Sequence, residues 1–66
     1  MAKFFVMGAD RLDVFTADGE QAAEYAAINE WGISGDDRLS VTAFPFDAEH
    51  ANLFAYDMED DKWLAA

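Results

Sequence analysis

The chain has 66 residues, 14 Asp and Glu against 4 Lys and Arg, a formal net charge of −10, ten aromatic residues and no cysteine. That length predicts one domain over residues 1–66, and the missing cysteines exclude both a disulfide framework and a thiolate zinc site. So acidic a surface disfavours direct contact with DNA, RNA or an anionic membrane, and favours a basic protein.

Residues 3–8, KFFVMG, and 12–15, LDVF, read as a pair of strands, with Leu12 and Val14 alternating with Asp13 at the two-residue period of a half-exposed strand. Gly8 and Asp10 in the intervening GADR suit a hairpin turn. The stretch TADGEQAAEYAAINEWG predicts a helix: Thr16 or Asp18 can cap its start, Asp18 and Gln21 have capping-box spacing, and Gly32 fits the stop. Ala22, Ala23, Ala26 and Ala27 share one side while Tyr25, Ile28 and Trp31 spread around the other, which leaves the buried face open. SGDD at 34–37 reads as a turn. RLSVTAF then reads as a strand with Leu39, Val41 and Ala43 on one face, ended by Pro45, which has no N–H to donate. DAEHAN at 47–52 reads as a connection with room for one helical turn, and LFAYDM with KWLA as a last hairpin around EDD. The expected fold is α+β: a small antiparallel sheet of about four or five strands, in the order β-β-α-β-β-β, with one helix packed on one face.

No stretch approaches the ~20 apolar residues of a membrane span. The opening MAKFFVMGAD is shorter in its apolar run than a signal peptide and lacks a cleavage site, so a cytoplasmic chain is expected. Catalysis calls for an activated group in a pocket. The single histidine, His50, falls in a connection, Ser34 in a turn and Ser40 on the polar side of a strand, and no phosphate-binding glycine loop is present. No catalytic residue, cofactor or enzyme activity is expected. DMEDD, the Asp36 and Asp37 pair, and DGE at 18–20 offer oxygen donors, but none follows the twelve-residue calcium loop, so no metal site is expected.

The acids read better as a recognition surface. Glu20 and Glu24 stand four apart on the helix, their Cβ atoms ~5–6 Å apart. Asp57 and Glu59 alternate on a strand, about 6.7 Å apart on one face. Both spacings are of the order of neighbouring phosphates, so carboxylates can pair with Arg and Lys in their place. Asp36, Asp37, Asp60 and Asp61 project from turns and complete the expected partner-binding set. A radius of gyration near ~11 Å makes a body roughly 28 Å across, a length over which duplex DNA carries about 16 charges. A charge run is commonly just a solvated face. Here the excess surpasses the roughly two to eight net charges that solubility needs, and self-repulsion costs stability. The reading requires the carboxylates to gather on one side of the fold. Among the aromatics of the second half, Phe46 is the expected exposed anchor.

Taken whole, the chain resembles small phage-encoded anti-CRISPR proteins, particularly acidic ones that act as DNA mimics against type I Cascade complexes. The likeness lies in length, acidic balance, order of elements, and TADGEQAAEYAAINEWGISGDDRLSVTAF followed by YDMEDDKWLA. It carries no residue-by-residue correspondence. It implies a stoichiometric inhibitor in the cytoplasm of an infected or prophage-carrying bacterium. Its partner would be a basic DNA-binding protein or Cascade-type complex. Self-repulsion favours a monomer, while an exposed edge strand could still pair. Two other readings share the charge: a protein adapted to high salt, and an acidic adaptor for one basic protein.

Overall fold

The computed structural model describes residues 1–64. β1 (Ala2–Gly8) and β2 (Arg11–Ala17) form an antiparallel hairpin in register from Ala2 opposite Ala17 to Gly8 opposite Arg11. Its two turn residues, Ala9 and Asp10, have φ of 48° and 63°, the mirror-image turn whose twist matches that of paired strands. Asn-Gly is the usual occupant, so Ala9 holds its left-handed conformation at a cost of about 1–2 kcal/mol. Gly8, expected in the turn, belongs to β1. A Cβ there would lie 2.8 Å from the Val41 Cα, so two backbones meet where Gly8 has no side chain.

α1 (Glu20–Trp31) starts after Gly19 with no side-chain cap, so neither Thr16 nor Asp18 fills the expected role; Thr16 is still in β2. It ends at Gly32, left-handed at φ 68°, whose N–H donates to the Ile28 carbonyl. Ala23 and Ala27 are fully buried, and these small side chains let the helix lie close on the sheet. Trp31 closes one end, its ring edge-on to Phe15 at 5.6 Å.

A 3-10 helix over Gly35–Ser40 replaces the expected turn and the first half of the expected strand. Only Thr42–Pro45 forms β3, which pairs antiparallel with β1 from Met7 opposite Thr42 to Phe4 opposite Pro45. The apolar alternation Leu39, Val41, Ala43 is therefore half true. Val41 and Ala43 are buried, but Leu39 stands 85% exposed.

The C-terminal half differs most from expectation. Instead of one helix and one sheet there are two substantial α-helices, a 3-10 helix and two sheets among the described residues. α2 (Ala48–Phe54) occupies the expected connection and the start of LFAYDM. Asp47 caps it by accepting the His50 N–H at 2.9 Å, an orphan donor of the first turn. Ala55 ends it in the left-handed region at φ 59°, its N–H donating to Ala51 and Asn52 carbonyls. What remains of the last hairpin is β4 (Tyr56–Asp57) and β5 (Lys62–Trp63), two residues each. The expected strand KWLA also reached Ala65, which lies outside the described residues.

The larger sheet has the order β2-β1-β3, so β1 is its centre. Successive residues of a strand face opposite ways, and β1 uses both. Val6, fully buried, packs with Ala17, Ala23, Ala27, Val41 and Ala43 beneath α1. Phe5, also fully buried, faces the other layer, α2 and the β4–β5 hairpin. There it meets the rings of Phe46, Phe54, Tyr56 and Trp63 at 4.8, 5.3, 5.4 and 5.8 Å. The result is three thin layers measuring 35 × 28 × 17 Å, with a radius of gyration of 11.6 Å. No helix among the described residues is long and apolar enough to cross a membrane.

Candidate functional site

The hairpin acids divide by task. Asp57 Oδ1 accepts the N–H groups of Glu59 at 3.0 Å and Asp60 at 3.2 Å, a side-chain turn that folds the loop onto itself. Asp61 accepts the Tyr56 hydroxyl and lies 3.5 Å from Lys3 Nζ. That hydroxyl, then the Lys3 charge, lowers the Asp61 carboxyl below the usual range, while the same bond to Asp61 raises the Tyr56 phenol to about 12. Lys3 also stands over the Phe46 ring, 5.3 Å from its centroid. Phe46, the expected exposed anchor, is half-buried against Phe5 and Tyr56. Two carboxylates thus hold the loop together. Glu59 and Asp60 point outward, Asp60 only loosely paired with Lys62 at 3.9 Å.

The other four expected residues belong to α1 and the 3-10 helix. Glu20 is exposed in the first turn of α1, and Asp36 and Asp37 in the first turn of the 3-10 helix, where helix dipoles favour negative charge. Glu24 does something else. It is half-buried, and its Oε2 accepts the Ala43 N–H at 3.1 Å on the outer side of β3. At the opposite edge, Asp13 Oδ1 accepts the Val14 N–H at 2.8 Å. Each outer strand of the sheet thereby carries a carboxylate on an N–H that a further strand would need, a device that discourages edge-to-edge pairing.

α1 packs on one face of the sheet and the hairpin on the other. The eight residues therefore form two groups: Glu20, Glu24, Asp36 and Asp37 in one layer, and Asp57, Glu59, Asp60 and Asp61 in the other. They do not make one continuous stripe on a single face. Asp10, Asp18, Glu30, Asp47 and Glu49 are exposed elsewhere, and no charged side chain is buried among the described residues.

Two open grooves accompany these groups. One, of about 400 Å³, runs between α1 and the 3-10 helix and is bordered by Glu24, Tyr25, Ile28, Asp36, Arg38 and Leu39. The other, of about 390 Å³, lies between α2 and the hairpin, beside Asn52, Met58, Glu59 and Leu64. Tyr25 and Leu39 were not singled out by sequence reasoning: Leu39 matched the strand alternation, and Tyr25 sat on a helix whose buried face the pattern left undecided. His50 is half-buried, its Nδ1 2.8 Å from Asp47 Oδ1 and its ring 5.7 Å from Phe44, so it serves the start of α2. Among the described residues no three His, Asp or Glu side chains converge to hold a metal ion. No protein-family model matches the chain, and no curated protein or solved structure is found similar to it.

Proposed function

We propose that this protein is an acidic decoy whose surface carboxylates, carried as two separate groups on opposite layers rather than on the single face first expected, take the place of nucleic-acid phosphates on a basic protein. One quantity carries the reading. A net charge of −10 along a 35 Å axis amounts to one charge per 3.5 Å, which is the density of one nucleic-acid strand at about 3.4 Å per phosphate and half that of a duplex at about 1.7 Å. Two of the four bases, Lys3 and Lys62, already stand beside acids of the hairpin, which leaves the excess facing solvent. Such a surface steers a cationic partner into contact quickly and loses its advantage as salt rises. The sequence resemblance nominates a type I Cascade complex as the partner, and self-repulsion favours a decoy that acts as a monomer.

The test is displacement of labelled duplex DNA from purified Cascade, and separately from an unrelated basic DNA-binding domain, followed by anisotropy over a salt series. The decoy displaces DNA from at least one of them, more weakly as salt increases. DNA that stays bound to both under a large excess of the protein refutes the proposal.

The division of acids between opposite layers favours a second reading, adaptation to a saline interior. A protein so adapted gains stability steeply between about 0.1 M and molar KCl, as screening relieves self-repulsion. A decoy is already folded at the lower salt, and only its complex weakens.

A further inference from the structure

We propose that the groove between α1 and the 3-10 helix receives a basic protein segment that inserts one apolar side chain. This deepens the decoy reading by assigning it a surface and a partner chemistry, and it rests on that reading for the partner's positive charge.

The groove is open and lined about equally by polar and apolar groups: Tyr25, Ile28 and Leu39 make its apolar part, the floor, and Glu24 and Asp36 outnumber Arg38 at its mouth. Leu39 is 85% exposed and Tyr25 54% exposed, and with half-buried Ile28 they border one cavity of about 400 Å³. Isolated exposed leucines are ordinary, but apolar side chains that converge on one concavity mark an interaction site. The cavity is at the small end of the range of about 300–1,000 Å³ for ligand sites, which suits a side chain or two rather than a domain. Glu24 and Asp36 stand at its border, Glu20 lies one helical turn before Glu24, and Asp37 follows Asp36. The floor selects an aliphatic or aromatic anchor, and the mouth selects flanking Lys or Arg.

Charge also decides against the other occupants. A second copy would bring another −10 to the contact, and nucleic acid would bring its phosphates. Among the described residues, Arg38 is the one cation bordering the groove. It opposes a basic segment, and that gives the proposal a signed prediction.

The experiment uses the whole chain with two probes, an amphipathic peptide of Lys and Leu and an oligolysine of equal charge, by calorimetry and two-dimensional amide NMR. The Lys/Leu peptide shifts resonances of α1 and the 3-10 helix. Leu39→Ser weakens it by roughly tenfold, in keeping with loss of a seated anchor. Arg38→Gln tightens it severalfold by removing a like charge. Oligolysine ignores Leu39→Ser. Leu39 supports no buried contact, so its variant keeps the parent melting curve; Tyr25→Ser tests the same floor from the other wall. Equal peptide affinity in both floor variants, or shifts centred on residues 57–62, overturns the groove. Displacement of DNA that persists in Leu39→Ser at parent strength overturns the groove alone. Loss of peptide affinity in a protein that never displaces DNA supports the groove and removes the decoy.

Discussion

Replacing Phe5 by Ala is expected to cost most of the stability this chain has. The ring is fully buried and touches four other rings, and truncating such a Phe costs about 3–5 kcal/mol through lost transfer energy and the cavity left behind. Typical values of 0.05–0.15 kcal/mol per residue give a 66-residue chain only about 3–10 kcal/mol in all. With a urea slope near 1 kcal/mol per molar, the midpoint should fall by about 3 M or more, and the variant will be partly unfolded in water. Two tryptophans make the assay informative, because Trp31 reports on the α1 layer and Trp63 on the hairpin layer. Single-tryptophan variants, Trp31→Phe and Trp63→Phe, should show both layers losing structure at the same reduced midpoint. The reason is that Phe5 and Val6 are neighbours on the strand that both layers share. Should the Trp63 transition move while the Trp31 transition stays at the parent midpoint, the layers are independent and the reasoning from a common central strand is wrong.

Gly8→Ala places a methyl group against the Val41 backbone and should cost about 1–3 kcal/mol as overpacking; an unchanged thermal melt would show that the two strands can part freely. Ala9→Asn with Asp10→Gly supplies the residues that the positive-φ turn favours and should raise stability by about 0.5–1 kcal/mol, read from the urea midpoint; a lower midpoint would contradict the turn geometry. The Tyr56 phenol is raised from its ordinary value of 10.0 to about 12, so its contribution is complete below pH 10 and fades as pH climbs toward 12. Circular dichroism should show a loss over that window that Tyr56→Phe abolishes. Asp47 and Asp61 have lowered carboxyls, so their contributions are present above the ordinary carboxylate range and disappear as acid titrates below it; Asp61→Asn should flatten that acid limb. Glu59→Lys with Asp60→Lys spares Asp57 and Asp61, which hold the loop, and should slow association with a basic partner at low salt without lowering the melt, since relief of self-repulsion can only raise it. A lowered melt would mean that the outward pair also supports the fold.

The first half of the fold was legible because its signals are local. A short apolar run in β1, strand alternation in β2, an alanine-rich helix and the glycine at its end all act within a few residues of themselves. The second half failed where the chemistry departs from those signals. Ala55 takes a left-handed conformation without the glycine that usually announces a helix end, so the start of LFAYDM read as strand rather than as the last turn of α2. Asp47, an N-cap residue type at the head of DAEHAN, is a sign of a helix start that reading the segment as a connection left unused. Leu39 continued an apolar alternation that the 3-10 helix breaks, and only the three-dimensional arrangement shows it lying open. Of the candidate acids, six are exposed while Glu24 and Asp57 are half-buried, and spacing did not show which are employed within the fold. That Glu24 reaches Ala43, nineteen residues away in the chain, is a tertiary fact with no sequence period.

β1 leaves the ribosome before every element that will cover it. The aromatic lid over Phe5 is finished only when Trp63 has been synthesised, so a nascent chain halted anywhere short of that point offers a bare phenylalanine surface to its surroundings. Its survival during translation then depends on holdase chaperones or on speed. Synonymous codons that stall the final stretch should lower yield more than equal delays placed in the helix-coding middle.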